Sequence, residues 1–503
     1  MIIFLFSALS GLLTGLSFNF NSLSFLVWFS LTFLIWAVKN SRWQKGIACG
    51  FIFAVCYYGV SIFWVSRVTV LGLVVLITYL SLYYVLFFLS GRYLSNKLFI
   101  LTIPCLWVIL EFLKEIVWCG FGWANLGYSQ YKNIYLIQIA DIFGEKFISF
   151  LIVMVNCLFF EIAYCLKHKN KYSKRKIIWS LALIVIIFLS CFTYSFLYLK
   201  KSQTDFLSQE SQSSGKGFLK VSVIQPNIIQ ELKWNEASLG FVLKRINSLG
   251  ASTDEDSLVI FPEAAWPAIV SEDNFFEFKR FFSEINRNTL VGAVTERDGK
   301  FYNTALLLDK KGECLTLYNK VKLVPFGEYV PFRKLLKFIG VLNSLGDITP
   351  GSELTQFTYE GKHFSVLICF EDIFPFQVRR FSRNNDFLVN ITNDAWFRSQ
   401  SEANQHLSIM TLRAVENRIS IVRSSNTGIS AQVSFRGQIE ELKDGNKDIF
   451  FSGQRSFNVI LSSQRSFYNA YGEIFPIFCL MVIVIVILVG FLREHKPFFY
   501  TSR

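Results

Sequence analysis

The chain has 503 residues, of which 52% are hydrophobic and 54 are Phe, and it carries a formal net charge of +13. So apolar a composition excludes an ordinary soluble globular protein and requires much of the chain to sit in lipid. The basic excess raises the question of a nucleic-acid partner, and the placement of the charges answers it.

Apolar runs long enough to cross a hydrocarbon core fall at about 2–18, 22–38, 46–65, 68–90, 98–118, 147–166, 177–199 and 474–492. They predict eight membrane spans. The first has the length of a signal peptide but no basic n-region and no clear small-residue cleavage site, so it reads as a membrane helix. Basic residues gather after the second, fourth and sixth spans and in the C-terminal tail: Lys39, Arg42, Lys45, Arg92, Lys97, Lys167, Lys169, Lys171, Lys174, Arg175, Lys176, Arg493, Lys496 and Arg503. In and beside the connections after the first, third and fifth stand Arg67, Lys114, Lys132 and Lys146. The positive-inside rule then puts both termini in the cytoplasm and the long segment before the last span on the far side. With Glu494 its only acid, the first group accounts for the whole net charge, so the basicity reports topology and calls for no nucleic acid.

Eight cysteines (49, 56, 105, 119, 157, 165, 191 and 479) lie in or beside spans, where Cys behaves as a small hydrophobe. Cys314 and Cys369 alone fall in the exported segment, too few for a disulfide framework.

These patterns divide the chain into a transmembrane domain (1–199), a Ser-, Gln-, Lys- and Gly-rich linker (200–217), an α/β domain (218–465), a last span (474–492) and a cytoplasmic tail (493–503). Strands are predicted at "LKVSVIQ", "SLVIFPE", "TLVGAVTE", "NTALLLD", "FSVLICFED", "DFLVNITND", "ISIVRSSN", "ISAQVSF" and "FNVILSS". Helix-like stretches at 238–249 and 403–418 come between, the alternation of an α/β domain.

Three strand ends carry reactive side chains: Glu263 in "VIFPEAAWP", Lys320 in "LYNKVKLVPFGEYVP" and Cys369 in "LICFED". A thiol attacks an ester carbonyl only as a thiolate, which needs a base or a positive field beside it. A carboxylate supplies the base, and an ammonium steadies both thiolate and oxyanion. Taken singly, each residue also has an ordinary reading: a packed thiol, a helix cap, a solvated loop charge.

Two further features keep their alternatives. The stretch "PFRKLLKFIGVL" (331–342) suits an arm in the lipid interface or an amphipathic core helix, and its place directly after the Lys320 loop favours a lid over a lipid site. His406 is a conceivable partner for Cys369 or a metal ligand. The exported domain has only His363 and His406 and no H-x-x-x-H or C-x-x-C spacing, so no metal site is expected and His406 reads as a hydrogen-bonded structural residue in a helix.

The motifs "PFGEYVPF", "ICFED" and "NDAWF" are unlike solvated loops, and the exported segment resembles the nitrilase superfamily. Adding "FGWANLGYSQ" (121–130), "QPNIIQELKW" (225–234), "FPEAAWP" and "QHLSIMTLRAVENRISIVRSSNTGISA" (405–431), nearly the whole chain resembles the membrane-bound apolipoprotein N-acyltransferases. The resemblance implies a polytopic bundle of eight transmembrane helices plus an extracytoplasmic nitrilase-like αββα sandwich. It makes Glu263 the proton acceptor, Lys320 the oxyanion-side cation and Cys369 the acylated nucleophile, with Trp234, Glu328, Phe370 and Glu371 supporting them. It implies transfer of an acyl chain from a phospholipid donor to the N-terminal amine of a diacylglyceryl-lipoprotein acceptor, on the periplasmic face of a bacterial inner membrane, without metal or cofactor. Phe370 stands where tyrosine is common, Gly122 replaces a frequent proline, and Arg398 and Ala403 replace a usual Gly and Pro. A membrane-tethered amidase that passes the acyl group to water, and a transporter or sensor with a degenerate outer domain, are the competing functions.

Overall fold

A computed structural model of the chain describes residues 1–94, 98–118, 120–168, 174–212, 218–233, 236–330, 333, 347–462 and 464–494. Two compact units divide it: residues 1–196 with 471–503, and residues 197–470.

The first unit is helical. Six helices among the described residues are long and apolar enough to cross a membrane: Ile2–Asn19, Asn21–Asn40, Val70–Leu94, Glu145–Lys167, Lys174–Ser202 and Ile474–Leu492. Helices also form where the third and fifth spans are expected, at Trp43–Ser61 and Phe99–Ile116. They fall short on composition, the first opening with Gln44 and Lys45 and the second ending in Glu111, Lys114 and Glu115. The helix from Lys174 continues to Gln212, so most of the stretch read as a linker is helical. A Cβ on Gly11 would lie 2.5 Å from the Phe53 carbonyl oxygen, so helices Ile2–Asn19 and Trp43–Ser61 approach closely only because that position lacks a side chain. Buried charge is richer here than apolar runs suggest: Lys146 Nζ meets Glu115 at 2.7 Å and Glu145 and Glu473 at 3.2 Å each, pinning three helices at one end.

The second unit holds two sheets. Its strands are β1 (Phe218–Gln225), β2 (Leu258–Ile260), β3 (Ile269–Val270), β4 (Thr289–Arg297), β5 (Lys300–Leu308), β6 (Cys314–Asn319), β7 (Phe357–Tyr359), β8 (Lys362–Ile368), β9 (Phe387–Thr392), β10 (Ser420–Ser425), β11 (Ala431–Val433), β12 (Ile439–Glu441) and β13 (Gly453–Ile460). One sheet runs β13-β1-β2-β4-β5-β6 with β3 against β4, the other β12-β11-β10-β9-β8-β7. Alternation sorts the side chains. Leu219, Val221 and Val223 of β1 join Val366, Ile368, Val389 and Ile421 of the second sheet in one core. Facing the other way, Ile224, Val259 and Val291 pack on Val242 and Ile246 of helix Leu239–Ala251 and on Phe278 and Phe282 of helix Phe275–Ile285. Helices Pro375–Ser382 and Gln400–Asn417 add Val378, Phe381, Leu407 and Met410 to the inter-sheet core cluster. Each buried aliphatic or aromatic side chain contributes about 1.5–3 kcal/mol, which is what holds these layers together.

Strands β2 and β4, like β8, β9 and β10, run parallel. Parallel strands deliver their carboxyl ends to one edge, where open α/β sheets gather reactive groups. Glu263 follows β2, Cys369 follows β8, and Asn393 and Asp394 follow β9.

Candidate active site

Glu263 is buried, and four groups fix it. Oε1 accepts from Asn303 Nδ2 at 2.7 Å and from Lys320 Nζ at 3.4 Å, Oε2 accepts from the Asn393 amide at 3.0 Å, and its carbonyl accepts from Lys233 Nζ at 3.3 Å. The next residue, Ala264, has φ +45°. The chain turns there against Gly292 of β4, whose carbonyl accepts from the Ala265 amide at 2.7 Å.

Lys320 is 1% exposed and follows β6. Its ammonium donates to Glu328 Oε1 at 2.9 Å as well as to Glu263, while Glu328 also accepts from Asn303 Nδ2 at 2.8 Å and, through Oε2, from the Val324 amide at 2.8 Å. Burial by itself lowers an amine's pKa; here the carboxylates of Glu328 and Glu263 outweigh it and hold Lys320 charged above the ordinary lysine range.

Cys369 is partly buried and opens the turn Cys369–Ile373 with φ +55°, a left-handed conformation that costs a non-glycine residue about 1 kcal/mol or more. Asn390 Nδ2 holds its carbonyl at 2.9 Å. Burial and then the Glu263 carboxylate push the thiol well above its usual range, and Lys320 pulls it back. The resting group is therefore a thiol within the field of the Glu263 and Asp394 carboxylates and the Lys320 ammonium, the arrangement in which a base is required.

Glu371 is fully buried and joins the two loops. Its carboxylate accepts from the Val321 and Lys322 amides at 3.0 Å each, from the Ile368 amide at 2.8 Å, from Tyr318 Oη at 2.8 Å and from Gln377 Nε2 at 2.8 Å. Burial raises its pKa and the backbone bonds oppose that rise. Phe370 packs edge-on against Phe374 at 5.1 Å, so an aromatic contact occupies the place of a hydroxyl. Glu263, Lys320 and Glu328 thus meet directly, Cys369 shares their field, and Glu371 braces the loops behind. Trp234 and nearly all of the 331–342 stretch lie outside the described residues.

Residue type alone did not reveal Asn303, Lys233 or the Asn393 amide, all of which contact Glu263. Burial brings Lys233 down to about 8, against the opposing pull of Glu263. His406 is buried in helix Gln400–Asn417 and bonds Asp372 at 2.9 Å rather than reaching the thiol. Arg398 takes φ +47° and pairs with Glu231, so a left-handed position favouring glycine is occupied by a charged residue.

Residues 10–158 match the apolipoprotein N-acyltransferase N-terminal domain, and residues 220–442 match the carbon-nitrogen hydrolase domain. An apolipoprotein N-acyltransferase of Geobacter metallireducens is 32% identical over 98% of this chain and 96% of its own. The chain belongs to the apolipoprotein N-acyltransferase family. Another apolipoprotein N-acyltransferase, from Haemophilus ducreyi, is 31% identical over 85% of this chain and 86% of its own. Among solved structures, an amidase from Nesterenkonia sp. aligns with 49% of this chain and 94% of its own at 18% identity and a TM-score of 0.38. Membership of the apolipoprotein N-acyltransferase family makes residues 220–442 a nitrilase-like α/β domain and, with the long apolar helices, the chain a bacterial membrane protein.

Proposed function

We propose that the protein moves a fatty acyl chain from a phospholipid to the N-terminal amine of a diacylglyceryl-cysteine on an apolipoprotein, through a thioester on Cys369. Glu263 takes the thiol proton, Sγ attacks the phospholipid ester carbonyl, and the oxyanion is held by Lys320 and backbone amides after the cysteine. Collapse expels a lysophospholipid, which receives the proton. The acceptor amine then attacks the thioester, Glu263 removes its proton, and the thiol leaves with the triacylated lipoprotein formed. Glu328 anchors the ammonium of Lys320, Glu371 braces the nucleophile turn, and Trp234 and Phe370 complete the supporting set.

One observation carries this reading: a carboxylate and an ammonium 3.4 Å apart, both acting on a thiol that ends a parallel strand in a left-handed turn. Location follows from the acyl chains. Each buried CH₂ is worth about 0.8 kcal/mol, so both substrates keep their tails in the bilayer and the enzyme works at its surface. Eight spans, both termini cytoplasmic and a periplasmic catalytic domain agree with the basic residues being concentrated on one side. The test is mass spectrometry of the intact protein after exposure to defined phospholipids. A hydroxylamine-sensitive adduct of one acyl chain is expected, absent from Cys369→Ala; an adduct that survives in Cys369→Ala refutes the assignment.

A further inference from the structure

Behind the nucleophile turn lies a closed ionic cluster that the acyl-transfer chemistry does not use. Asp372, three residues after Cys369, has Oδ1 on His406 Nε2 at 2.9 Å and Oδ2 on Arg423 Nη2 at 2.5 Å. Arg423 Nε donates to Asn390 Oδ1 at 2.9 Å, and Asn390 in turn holds the Cys369 carbonyl. The other imidazole nitrogen, Nδ1, stands 3.6 Å from Asp394 Oδ1 and 3.8 Å from Glu402 Oε1. Thr392 and Ser425 hydroxyls fix Asp394 at 2.9 and 3.0 Å. Asp394 follows Asn393, whose amide fixes Glu263 Oε2. One imidazole therefore stands between the turn that carries the thiol and the loop that holds the carboxylate.

We infer that His406, whose two ring nitrogens face carboxylates on opposite sides, is a positioning residue that keeps the Cys369 turn in register with the Glu263 loop. It touches no reacting atom and acts through Asp372 and Asp394. The charged and titratable groups that meet it are Asp372 from the nucleophile turn, Asp394 from the loop after β9, Arg423 from β10 and Glu402 from its own helix, while β11, also packed on that helix, carries none. Asp372 and Asp394 outweigh burial and Arg423, bringing His406 up to about 9, while burial and then Asp394 push Glu402 well above the ordinary carboxylate range. A charged His406 and Arg423 against two aspartates and a neutral Glu402 leave the buried cluster balanced. Asp394, Glu402 and His406 also bring ligand atoms within 4.8 Å of one another, but protons on His406 and Glu402 together with Arg423 already balance the three carboxylates of the cluster.

The inference rests on the proposed roles of Glu263 and Cys369, and the experiment separates the two. Single-turnover acylation of the full-length protein in detergent is followed with a synthetic diacyl phospholipid, one headgroup at a time. Cys369→Ala and Glu263→Gln should form no adduct. His406→Ala should still form one, at least tenfold more slowly, with KM within threefold of wild type. His406→Gln, which retains a donor toward Asp372, should recover part of the rate. Wild type should lose rate as pH rises through about 9, and both His406 variants should lack that decline. His406→Ala acylating within twofold of wild type, a pH profile unchanged in His406→Gln, or stoichiometric metal bound to wild type and lost in Glu402→Gln would overturn the inference.

Discussion

A steric test of the strand behind Glu263 is Gly292→Ala. A Cβ there would stand 2.6 Å from the Pro262 carbonyl oxygen and 2.7 Å from both Glu263 Cα and the Ala264 nitrogen, all of them backbone. Ordinary contact begins at 3.4 Å, so residues 262–264 must retreat by roughly 0.7 Å, an overpacking that costs about 1–3 kcal/mol. The retreat works against the 2.7 Å bond from Ala265 to the Gly292 carbonyl and carries Glu263 away from Asn303 and the Asn393 amide. Misplacing a reacting group by about 1 Å costs on the order of 10²-fold, so adduct formation should slow by about 10–100-fold while phospholipid binding is unchanged. The assay is single-turnover acylation read by intact mass, alongside thermal unfolding. Gly240→Ala is the control: its Cβ meets nothing within 4 Å in a helix, and it should be neutral or stabilise by about 0.4–1 kcal/mol. If Gly292→Ala acylated within twofold of wild type with no loss of thermal stability, the claim that this strand positions Glu263 would fail.

Glu371→Ala orphans the buried amide of Ile368 and the partly buried amides of Val321 and Lys322; at about 1–3 kcal/mol for a fully buried unsatisfied donor, it should lower stability by at least about 1–3 kcal/mol in thermal unfolding. Burial and then the Glu263 carboxylate raise the Cys369 thiol pKa, and Glu263→Gln removes the second of these, so alkylation of that thiol by iodoacetamide at pH 8 should accelerate even as phospholipid acylation stops; slower alkylation would contradict the electrostatics described. Lys320→Met leaves Glu263 and Glu328 without their ammonium and should cost about 3–5 kcal/mol at neutral pH. Because the folded pKa of Lys320 is raised, its contribution is complete below the ordinary value of 10.5 and is lost as pH rises beyond it, so the stability gap between wild type and Lys320→Met should narrow above pH 10.5.

How much of this was legible depended on whether the signal was local. Uninterrupted apolarity is local, and the long runs became helices at nearly the expected positions, whereas the charged end of Phe99–Ile116 is buried by partners the run itself does not announce. Strand β1 alternated clearly enough to be read, while β3, of two residues, and β7 and β12, of three each, are too short to show a period and exist because a neighbouring strand offers them hydrogen bonds. Helix Phe275–Ile285 went unpredicted although its phenylalanines recur at helical spacing, because aromatic density there also suits a strand. Glu263, Lys320, Glu328, Cys369 and Glu371 were named from motif order. Asn303 and the Asn393 amide were not, since their reach to Glu263 depends on the register of β5 and on where β9 ends, which no short window of sequence encodes.

The ratio of charges explains why a strongly raised thiol pKa is no obstacle to the proposed reaction. Releasing the Cys369 proton to water would leave a new anion in a buried place beside Glu263. Passing it to Glu263 leaves the sum over Glu263, Glu328, Lys320 and Cys369 at one negative charge, so the protein supports a relocation of charge within the field of a single ammonium. At that moment Lys320 loses the carboxylate 3.4 Å away as a counter-charge and would be strained as a buried cation, were Glu328 not 2.9 Å away on its own backbone anchor at Val324. In the proposed cycle the second carboxylate thus keeps Lys320 charged and in place through both halves, free to follow the negative charge from Glu263 to sulfur and on to the oxyanion. A single Glu–Lys pair would leave the ammonium without a carboxylate once the proton moved; a Glu–Lys–Glu arrangement keeps one in place.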